Sequence, residues 1–111
     1  MSLREKLSGA IAPLFTPFTA EGDVDHESLT RMVKWQLANG SSGISIGGST
    51  GEPASQTVEE RIASIRTIKA AIEGTDASFI PGTASAKLDE TLEMTAAAQE
   101  IGVDAALIIT P

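Results

Sequence analysis

The stretch from Ile44 to Glu52, Ile-Ser-Ile-Gly-Gly-Ser-Thr-Gly-Glu, contains the residues of this chain that are best suited to bind a small anion. A short apolar run ends there in a glycine-rich turn that carries two hydroxyls, those of Ser49 and Thr50. A helix is predicted to begin soon afterwards, at Thr57. Such a turn between a strand and a helix offers free backbone N–H groups and hydroxyl donors, which bind a carboxylate or a phosphate. The pattern therefore predicts an anion site at this turn.

Two familiar phosphate-binding motifs do not fit the turn. No Lys follows Gly51, as it would in a G-x-x-x-x-G-K-[ST] loop. The spacing also differs from the dinucleotide-binding G-x-G-x-x-G, which belongs after the first strand of its fold. A purely structural interpretation stays open, in which the glycines permit a tight turn and the hydroxyls cap backbone groups.

Few other side chains are candidates for catalysis. Glu52 follows the turn and could act as an acid or a base, but such a carboxylate more often accepts hydrogen bonds from loop amides. His26, the single His, is expected to be an exposed residue at a helix start. The four lysines lie before the first strand, within helices or at a helix start: Lys6, Lys34, Lys69 and Lys87. None lies inside a predicted strand, where burial would lower its pKa and free the amine, so we assign no lysine a catalytic role.

Composition limits the classes of function. The 111 residues suffice for at most one domain, and 41% of them are hydrophobic, as in ordinary globular proteins. The net charge of −7 argues against nucleic acid or an anionic membrane as a partner. The chain has no Cys and only one His, which argues against a metal site. The charged start lacks the apolar core of a signal peptide and no stretch is long enough to span a membrane, so we expect a cytoplasmic protein.

The rest of the sequence predicts the strands and helices that position the turn. Four short apolar runs without polar alternation indicate parallel strands that are buried on both faces. They span residues 10–15, 43–46, 78–81 and 105–109. Helices are predicted between them at about 26–39, 57–72 and 87–101. Asp25 is expected to cap the first helix, where Leu29, Met32, Val33 and Leu37 share one face, and Thr57 and Glu60 have the spacing of a capping box.

The resulting order, β-α-β-α-β-α-β, is compatible with an open doubly wound sheet or with a closed (β/α) barrel. A closed barrel needs eight units and about 250 residues. This sequence contains three units and one further strand, and half a barrel would leave two sheet edges unpaired. Pro111 also follows directly after a predicted strand. If the chain belongs to a barrel, it is less than half of one, and we therefore expect residues 1–111 to be a truncated chain or part of a longer protein.

Six short motifs support this expectation and occur in a consistent order along the chain. They are residues 12–18 (Ala-Pro-Leu-Phe-Thr-Pro-Phe), 22–25 (Gly-Asp-Val-Asp), 48–52 (Gly-Ser-Thr-Gly-Glu), 60–61 (Glu-Arg), 81–83 (Pro-Gly-Thr) and 110–111 (Thr-Pro). Together they resemble the dihydrodipicolinate synthase / N-acetylneuraminate lyase family of class I pyruvate aldolases and lyases. Residues 48–52 match the family's G-[ST]-T-G-E signature. The resemblance covers nearly the whole chain.

The resemblance implies a (β/α)8 TIM barrel, of which residues 1–111 would be the N-terminal β-α-β-α-β-α-β portion. It also implies a homotetramer in which pyruvate forms a Schiff base with a lysine. No metal or organic cofactor is implied, because the protonated imine is itself the electron sink. By the same resemblance, Ser49, Thr50 and Gly51 bind the pyruvate carboxylate, and Ser49 occupies the position of a proton relay with two tyrosines.

The resemblance places the Schiff-base lysine and the relay tyrosines after Pro111, so the 111 residues alone are expected to be inactive. Our leading hypothesis is the synthase reaction, in which pyruvate condenses with aspartate semialdehyde. A sugar-acid aldolase or dehydratase, or an N-acetylneuraminate lyase of the same family, is the alternative. Two further alternatives come from other classes: a non-catalytic fragment and a phosphate-binding open α/β domain.

Overall fold

The computed structural model describes residues 2–47 and 56–108, in which strands and helices alternate after a short N-terminal helix. The elements are α1 (Leu3–Lys6), β1 (Ile11–Pro13), α2 (His26–Ala38), β2 (Gly43–Ser45), α3 (Val58–Ala71), β3 (Ser78–Phe79) and α4 (Leu88–Ile101). The protein has an α/β fold with parallel strands. The predicted order of three strands and three long helices is confirmed, whereas the single-turn helix α1 was not predicted.

The three strands form one parallel sheet in the order β1-β2-β3. Ile44 of β2 lies opposite Ala12 of β1 on one side and Phe79 of β3 on the other. The pairing continues past the end of β1, where the amide of Leu14 donates to the carbonyl of Ser45 at 2.8 Å. Because all three strands point the same way, their carboxyl ends lie at one edge of the sheet.

Helix α2 begins where the sequence predicted. The Asp25 carboxylate accepts hydrogen bonds from the amide and the hydroxyl of Ser28, at 3.0 and 2.8 Å. The bond from the Ser28 amide and then that from its hydroxyl hold the pKa of Asp25 below its ordinary value. The stabilisation by this cap is therefore fully present above about pH 4, and it is lost as the pH falls through the lowered pKa of Asp25. The helix ends at Ala38, with Asn39 as its C-cap and then Gly40 with φ +103°.

Helix α3 begins with the predicted capping box. The Thr57 hydroxyl accepts from the Glu60 amide at 3.1 Å, and the Glu60 carboxylate accepts from the Thr57 amide at 2.8 Å. The helix ends at Ala71, and its C-cap Ile72 lies two residues before Gly74, whose φ is +81°. Helix α3 lies between α2 and α4 and contacts both.

One face of the sheet and the three long helices share a single apolar core. Its buried members are Leu14, Leu29, Val33, Ile44, Ile46, Ile65, Ile68, Ile72, Ala77, Phe79 and Ala98. Met32 and Leu37 pack against this cluster, so the predicted apolar face of α2 is confirmed. The residues are almost all aliphatic, which fits a chain with only three Phe, one Trp and no Tyr.

The other face of the sheet is incompletely covered in the described part of the chain. Successive strand residues point to opposite faces, so Ile11, Pro13, Ser45 and Ile80 lie on the face away from the helical core. Pro13 is exposed, and the other three are half-buried. One face of this sheet is therefore covered by the helices, and the other is partly open to solvent.

Helix α4 buries only some of the apolar residues that it carries. Met94 and Ala98 are buried, whereas Leu88 and Leu92 are 73% and 61% exposed. At 100° per residue, Leu88 and Leu92 lie more than a quarter turn around the helix from Met94, so they are on a different face of α4 from this buried residue. The exposed pair forms a separate apolar strip on the outer surface of the helix.

The prediction of a fourth strand at residues 105–109 has to be corrected. Within the described residues it contributes a single parallel bridge, between Leu107 and Gly82, and no strand. The Leu107 amide donates to the carbonyl of Pro81 at 2.9 Å, and its carbonyl accepts from the amide of Thr83 at 3.1 Å. The segment therefore has the predicted position and direction but too few paired residues for a strand, and Ile109 lies outside the described residues.

The amino ends of the strands are tied together by α1. Lys6 forms an ion pair with Asp104 at 3.0 Å, and the other oxygen of Asp104 accepts from the amide of Phe79 at 2.8 Å. This connection joins the N-terminal helix to the segment beside β3. It lies at the edge of the sheet opposite to Gly47, the residue that follows the carboxyl end of β2.

Helix α2 offers a matched test of this packing. Leu29→Ala is expected to lower the free energy of unfolding by about 2–5 kcal/mol, because it leaves a cavity in the core. Trp35→Ala on the same helix, where the side chain is 62% exposed, is expected to change it by less than about 0.5 kcal/mol. Urea denaturation followed by circular dichroism measures both. Equal losses would contradict the proposed core.

Candidate functional site

The carboxyl ends of the three strands bring together segments that are distant in the sequence. Thr16 follows β1, Gly47 follows β2, and Gly82 follows β3. Ile46, Gly47, Gln56, Arg61, Ser64, Ile65 and Gly82 line a narrow cleft at this edge. The edge is the one where α/β proteins bind their ligands.

The predicted site residues Ser49, Thr50 and Gly51, together with Glu52, lie outside the described residues, so their roles stay predictions. The structure does describe both flanks of this segment, at Gly47 and at Gln56. Each flank contacts a neighbouring strand connection. The geometry of the flanks therefore defines where the predicted anion-binding turn leaves and rejoins the fold.

The first flank is held against the connection after β3. Gly47 has φ +83°, and a Cβ atom at this position would lie 2.7 Å from the carbonyl oxygen of Gly82. The amide of Gly82 donates to the carbonyl of Ile46 at 2.6 Å. The two backbones approach so closely that only glycine fits at position 47.

The second flank is connected to β1. The side-chain amide of Gln56 donates to the hydroxyl of Thr16 at 3.1 Å. Thr16 is only 4% exposed, although it is polar and follows the strand directly. The chain on either side of residues 48–55 is thus held by β3 on one side and by β1 on the other.

The start of α3 is already occupied by its own capping box. Glu60 places a carboxylate at the helix N-terminus, where it uses the favourable end of the helix dipole. A second anion directly on this helix end would be repelled by Glu60. Donors for an anion bound beside the start of α3 must therefore come from the turn itself or from neighbouring side chains.

Arg61 is a member of the site that the sequence did not indicate on physical grounds. It is 7% exposed, and its guanidinium donates to the carbonyls of Gly82 and Ala84 at 2.9 and 2.7 Å. Burial lowers the pKa of Arg61, and the charge of Glu90 partly offsets this shift. Because the ordinary pKa of a guanidinium lies far above neutral pH, the side chain stays charged there.

The connection after β3 is also anchored to α4. The hydroxyl of Thr83, which is completely buried, lies 2.8 Å from that of Thr95. Ser85 donates its hydroxyl to Glu90 at 2.5 Å, and the Ser85 amide donates to the hydroxyl of Thr91 at 2.9 Å. The connection is therefore held by both helices that flank it.

The remaining candidates from the sequence do not join this edge. His26 is exposed, as predicted, and its Nδ1 lies 2.7 Å from the hydroxyl of Thr67 on α3. Lys6 is paired with Asp104 at the opposite edge, and Lys87 is an exposed residue just before α4. Among the described residues, no group of three or more His, Cys, Asp or Glu side chains is arranged to hold a metal ion. Within the same residues, no helix is long and apolar enough to cross a bilayer.

The fold and the sequence together assign the chain to a family. The chain belongs to the dihydrodipicolinate synthetase family, whose model matches residues 6–111. The 4-hydroxy-tetrahydrodipicolinate synthase of Thermus thermophilus is 45% identical over 103 residues, which are 93% of this chain. The resemblance noted from the six motifs is thereby confirmed.

Solved structures of the same family have the same fold over nearly all of this chain. YagE, a prophage protein of the dihydrodipicolinic acid synthase family from E. coli K12 solved in complex with pyruvate, matches with a TM-score of 0.89 at 30% identity. The N-acetylneuraminate lyase of Proteus mirabilis matches with a TM-score of 0.89 at 33% identity. These matches cover 95% and 96% of this chain, but only 35% and 36% of the other chains.

The chain spans about a third of the length of the curated relatives that it matches, 34% in the case of the Thermus thermophilus protein. The relatives therefore contain sequence for which these 111 residues have no counterpart.

Two glycines with nearly the same backbone conformation test the close approach at this edge. Gly47 and Gly74 have φ of +83° and +81°, but an added Cβ meets the Gly82 carbonyl only at Gly47. Gly74→Ala is expected to lower stability by about 1–2 kcal/mol, because Ala is strained in a left-handed conformation. Gly47→Ala is expected to cost about 1–3 kcal/mol more, because it also overpacks the site. Chemical denaturation of both variants measures the difference, and equal costs would contradict the described contact.

Proposed function

We propose that this chain is part of a pyruvate-dependent lyase that acts through a lysine imine. The reaction that we propose for this lyase is that of a 4-hydroxy-tetrahydrodipicolinate synthase. The substrates in this proposal are pyruvate and aspartate semialdehyde. The observation that carries it is the 45% identity to the Thermus thermophilus synthase over 93% of the chain. The pyruvate bound to the related YagE protein supports the first substrate.

In this proposal, residues 1–111 form the first three β/α units and the fourth strand segment of a (β/α)8 barrel. The half-exposed sheet face at Ile11, Pro13, Ser45 and Ile80 supports it, because parallel sheets are normally covered on both faces. The length of the relatives supports it as well, since this chain matches only about a third of each. The proposal includes a homotetramer, as the resemblance implies, and a cytoplasmic location, which the absence of Cys supports.

The proposed role of Ser49, Thr50 and Gly51 is to bind the pyruvate carboxylate with hydroxyl and amide donors. Such binding fixes the angle at which the neighbouring ketone faces the lysine amine, which favours the reaction by orientation. The positive charge of Arg61 at the same edge supports an anionic ligand there. Ser49 would in addition occupy the proton-relay position.

The chemistry then follows from the imine. The amine of a lysine, located in another part of the protein, adds to the ketone carbon of pyruvate, and water leaves. The protonated imine withdraws electrons, so that the methyl group loses a proton and an enamine forms. The enamine carbon then bonds to the carbonyl carbon of the aldehyde. No metal or organic cofactor takes part in this sequence, and the 111 residues alone would not perform it.

A sugar-acid lyase of the same family is the second candidate. The TM-score of 0.89 with the N-acetylneuraminate lyase of Proteus mirabilis favours it, at 33% identity. The first half of the reaction, from pyruvate to the enamine, is the same in both proposals. The two differ in the aldehyde that the enamine attacks.

Reductive trapping tests the imine. The whole protein that contains residues 1–111 is incubated with pyruvate, treated with borohydride and weighed by mass spectrometry. We expect a mass gain of one reduced pyruvate unit, located on a lysine, since borohydride reduces an imine to a stable amine. Protein treated with borohydride alone is the control. Absence of the adduct would refute the proposed function.

The roles of the two hydroxyls are tested separately in the same protein. Thr50→Val is expected to raise the KM for pyruvate about tenfold through the loss of a hydrogen bond to the carboxylate. Ser49→Ala is expected to lower kcat about 100-fold or more, as is usual for a proton-transfer group, and Ser49→Thr is expected to retain activity. Ser8→Ala, an exposed position at the opposite edge, serves as the control. Wild-type kinetics for both Thr50→Val and Ser49→Ala would show that the turn does not bind pyruvate.

A further inference from the structure

Arg61 is a buried cation that forms no ion pair within the described residues. Its two terminal nitrogens donate to backbone carbonyls, and its Nε has no hydrogen-bond partner within residues 2–47 and 56–108. The two ion pairs in the described part of the chain are Lys6 with Asp104 and Arg31 with Glu27, and neither involves Arg61. Burying a charge without an ion partner is unfavourable, so a cation at this position lowers the stability of the fold.

Helix packing alone does not require a guanidinium at this position. The neighbouring buried residue on α3, Ile65, fills its share of the core with an aliphatic side chain. Arg61 instead reaches past the core to two carbonyls, those of Gly82 and Ala84, in the connection after β3. A planar guanidinium holds two acceptors with two separate terminal nitrogens in a fixed geometry, which an aliphatic side chain cannot do and a single ammonium nitrogen cannot reproduce.

The hydrogen bonds from Arg61 to the connection after β3 also affect Gly47, the residue that follows β2, because these groups lie close together. The same Gly82 carbonyl that accepts from Arg61 would lie 2.7 Å from a Cβ at position 47, and the Arg61 Nη2 atom would lie 3.4 Å from it. Arg61, Gly82 and Gly47 therefore pack against one another without a gap. A shift of the Gly82 carbonyl would change the position from which the chain enters the glycine-rich turn.

We propose that Arg61 is a positioning residue for the carboxylate of the keto-acid substrate. By holding the Gly82 and Ala84 carbonyls, it sets the position of Gly47 and hence of the turn that begins there. Its positive charge, which forms no ion pair within the described residues, also makes the same edge favourable for an anion. This inference rests on the proposed function, because it assigns Arg61 to the binding of pyruvate.

The experiment compares Arg61→Met and Arg61→Lys with Arg66→Met in the whole protein. Arg66 lies on the same helix but is exposed, so its variant is the matched control. For Arg61→Met we expect a KM for pyruvate at least about tenfold higher with kcat changed less than about threefold, since the loss falls on substrate binding. Arg61→Lys is expected to be intermediate, because the ammonium keeps the charge but lacks the two separate nitrogens that hold the carbonyls in a fixed geometry. Arg66→Met is expected to retain wild-type kinetics.

The outcomes separate positioning from a merely structural role. A lower melting temperature with an unchanged KM for pyruvate would overturn the inference, as would equal effects in the Arg61 and Arg66 variants. If Arg61→Met does not fold, Arg61→Lys decides: a raised KM supports the inference, and a wild-type KM overturns it. Failure of the proposed function is recognised separately, because the wild-type protein would then give no borohydride-trapped pyruvate.

Discussion

The parallel pairing of β2 with both β1 and β3 is the constraint on which the rest of this structure depends. Ile44 is completely buried, and it pairs with Ala12 on one side and with Phe79 on the other. Parallel pairing forces each connection to return across the sheet, which α2 and α3 do while covering one face. It also brings the ends of all three strands to one edge. Every residue of the candidate site is near its partners for this reason.

The candidate site combines costly features that the core around it has to support. Arg61 is a buried charge, Gly47 has a left-handed backbone conformation, and the connection after β3 lies against both. Strained or desolvated groups of this kind are common at functional sites, where they are retained because they act on a ligand. The capping box at Thr57 and Glu60 closes the helix terminus to a second anion. The start of α3 is therefore not free to bind an anion, whereas the guanidinium of Arg61 places a positive charge beside it.

The family assignment and the open sheet face are consistent with each other. Relatives such as the Thermus thermophilus synthase are about three times as long as this chain, and one face of its sheet is only half-covered in the described residues. A keto-acid site at the strand ends needs a carboxylate-binding turn and an amine nucleophile, and these have different physical requirements. The turn needs glycine and hydroxyls, which this sequence contains after β2. The amine needs a desolvated strand position, which none of the four lysines here occupies.

The sequence by itself determined the features that depend on neighbouring residues in the chain. Apolar runs and helical spacing predicted the alternation of strands and helices, and caps at Asp25 and Thr57 predicted where α2 and α3 begin, because capping is completed within four residues. Only the tertiary structure decided the features that need a distant partner. Leu107 contributes a single bridge and not a strand, since pairing depends on how much of β3 is available to it. The hydrogen bonds of Arg61 could not be predicted from the sequence for the same reason. Its acceptors, the carbonyls of Gly82 and Ala84, lie 21 and 23 residues further along the chain. Only folding of the parallel sheet brings them within hydrogen-bond distance.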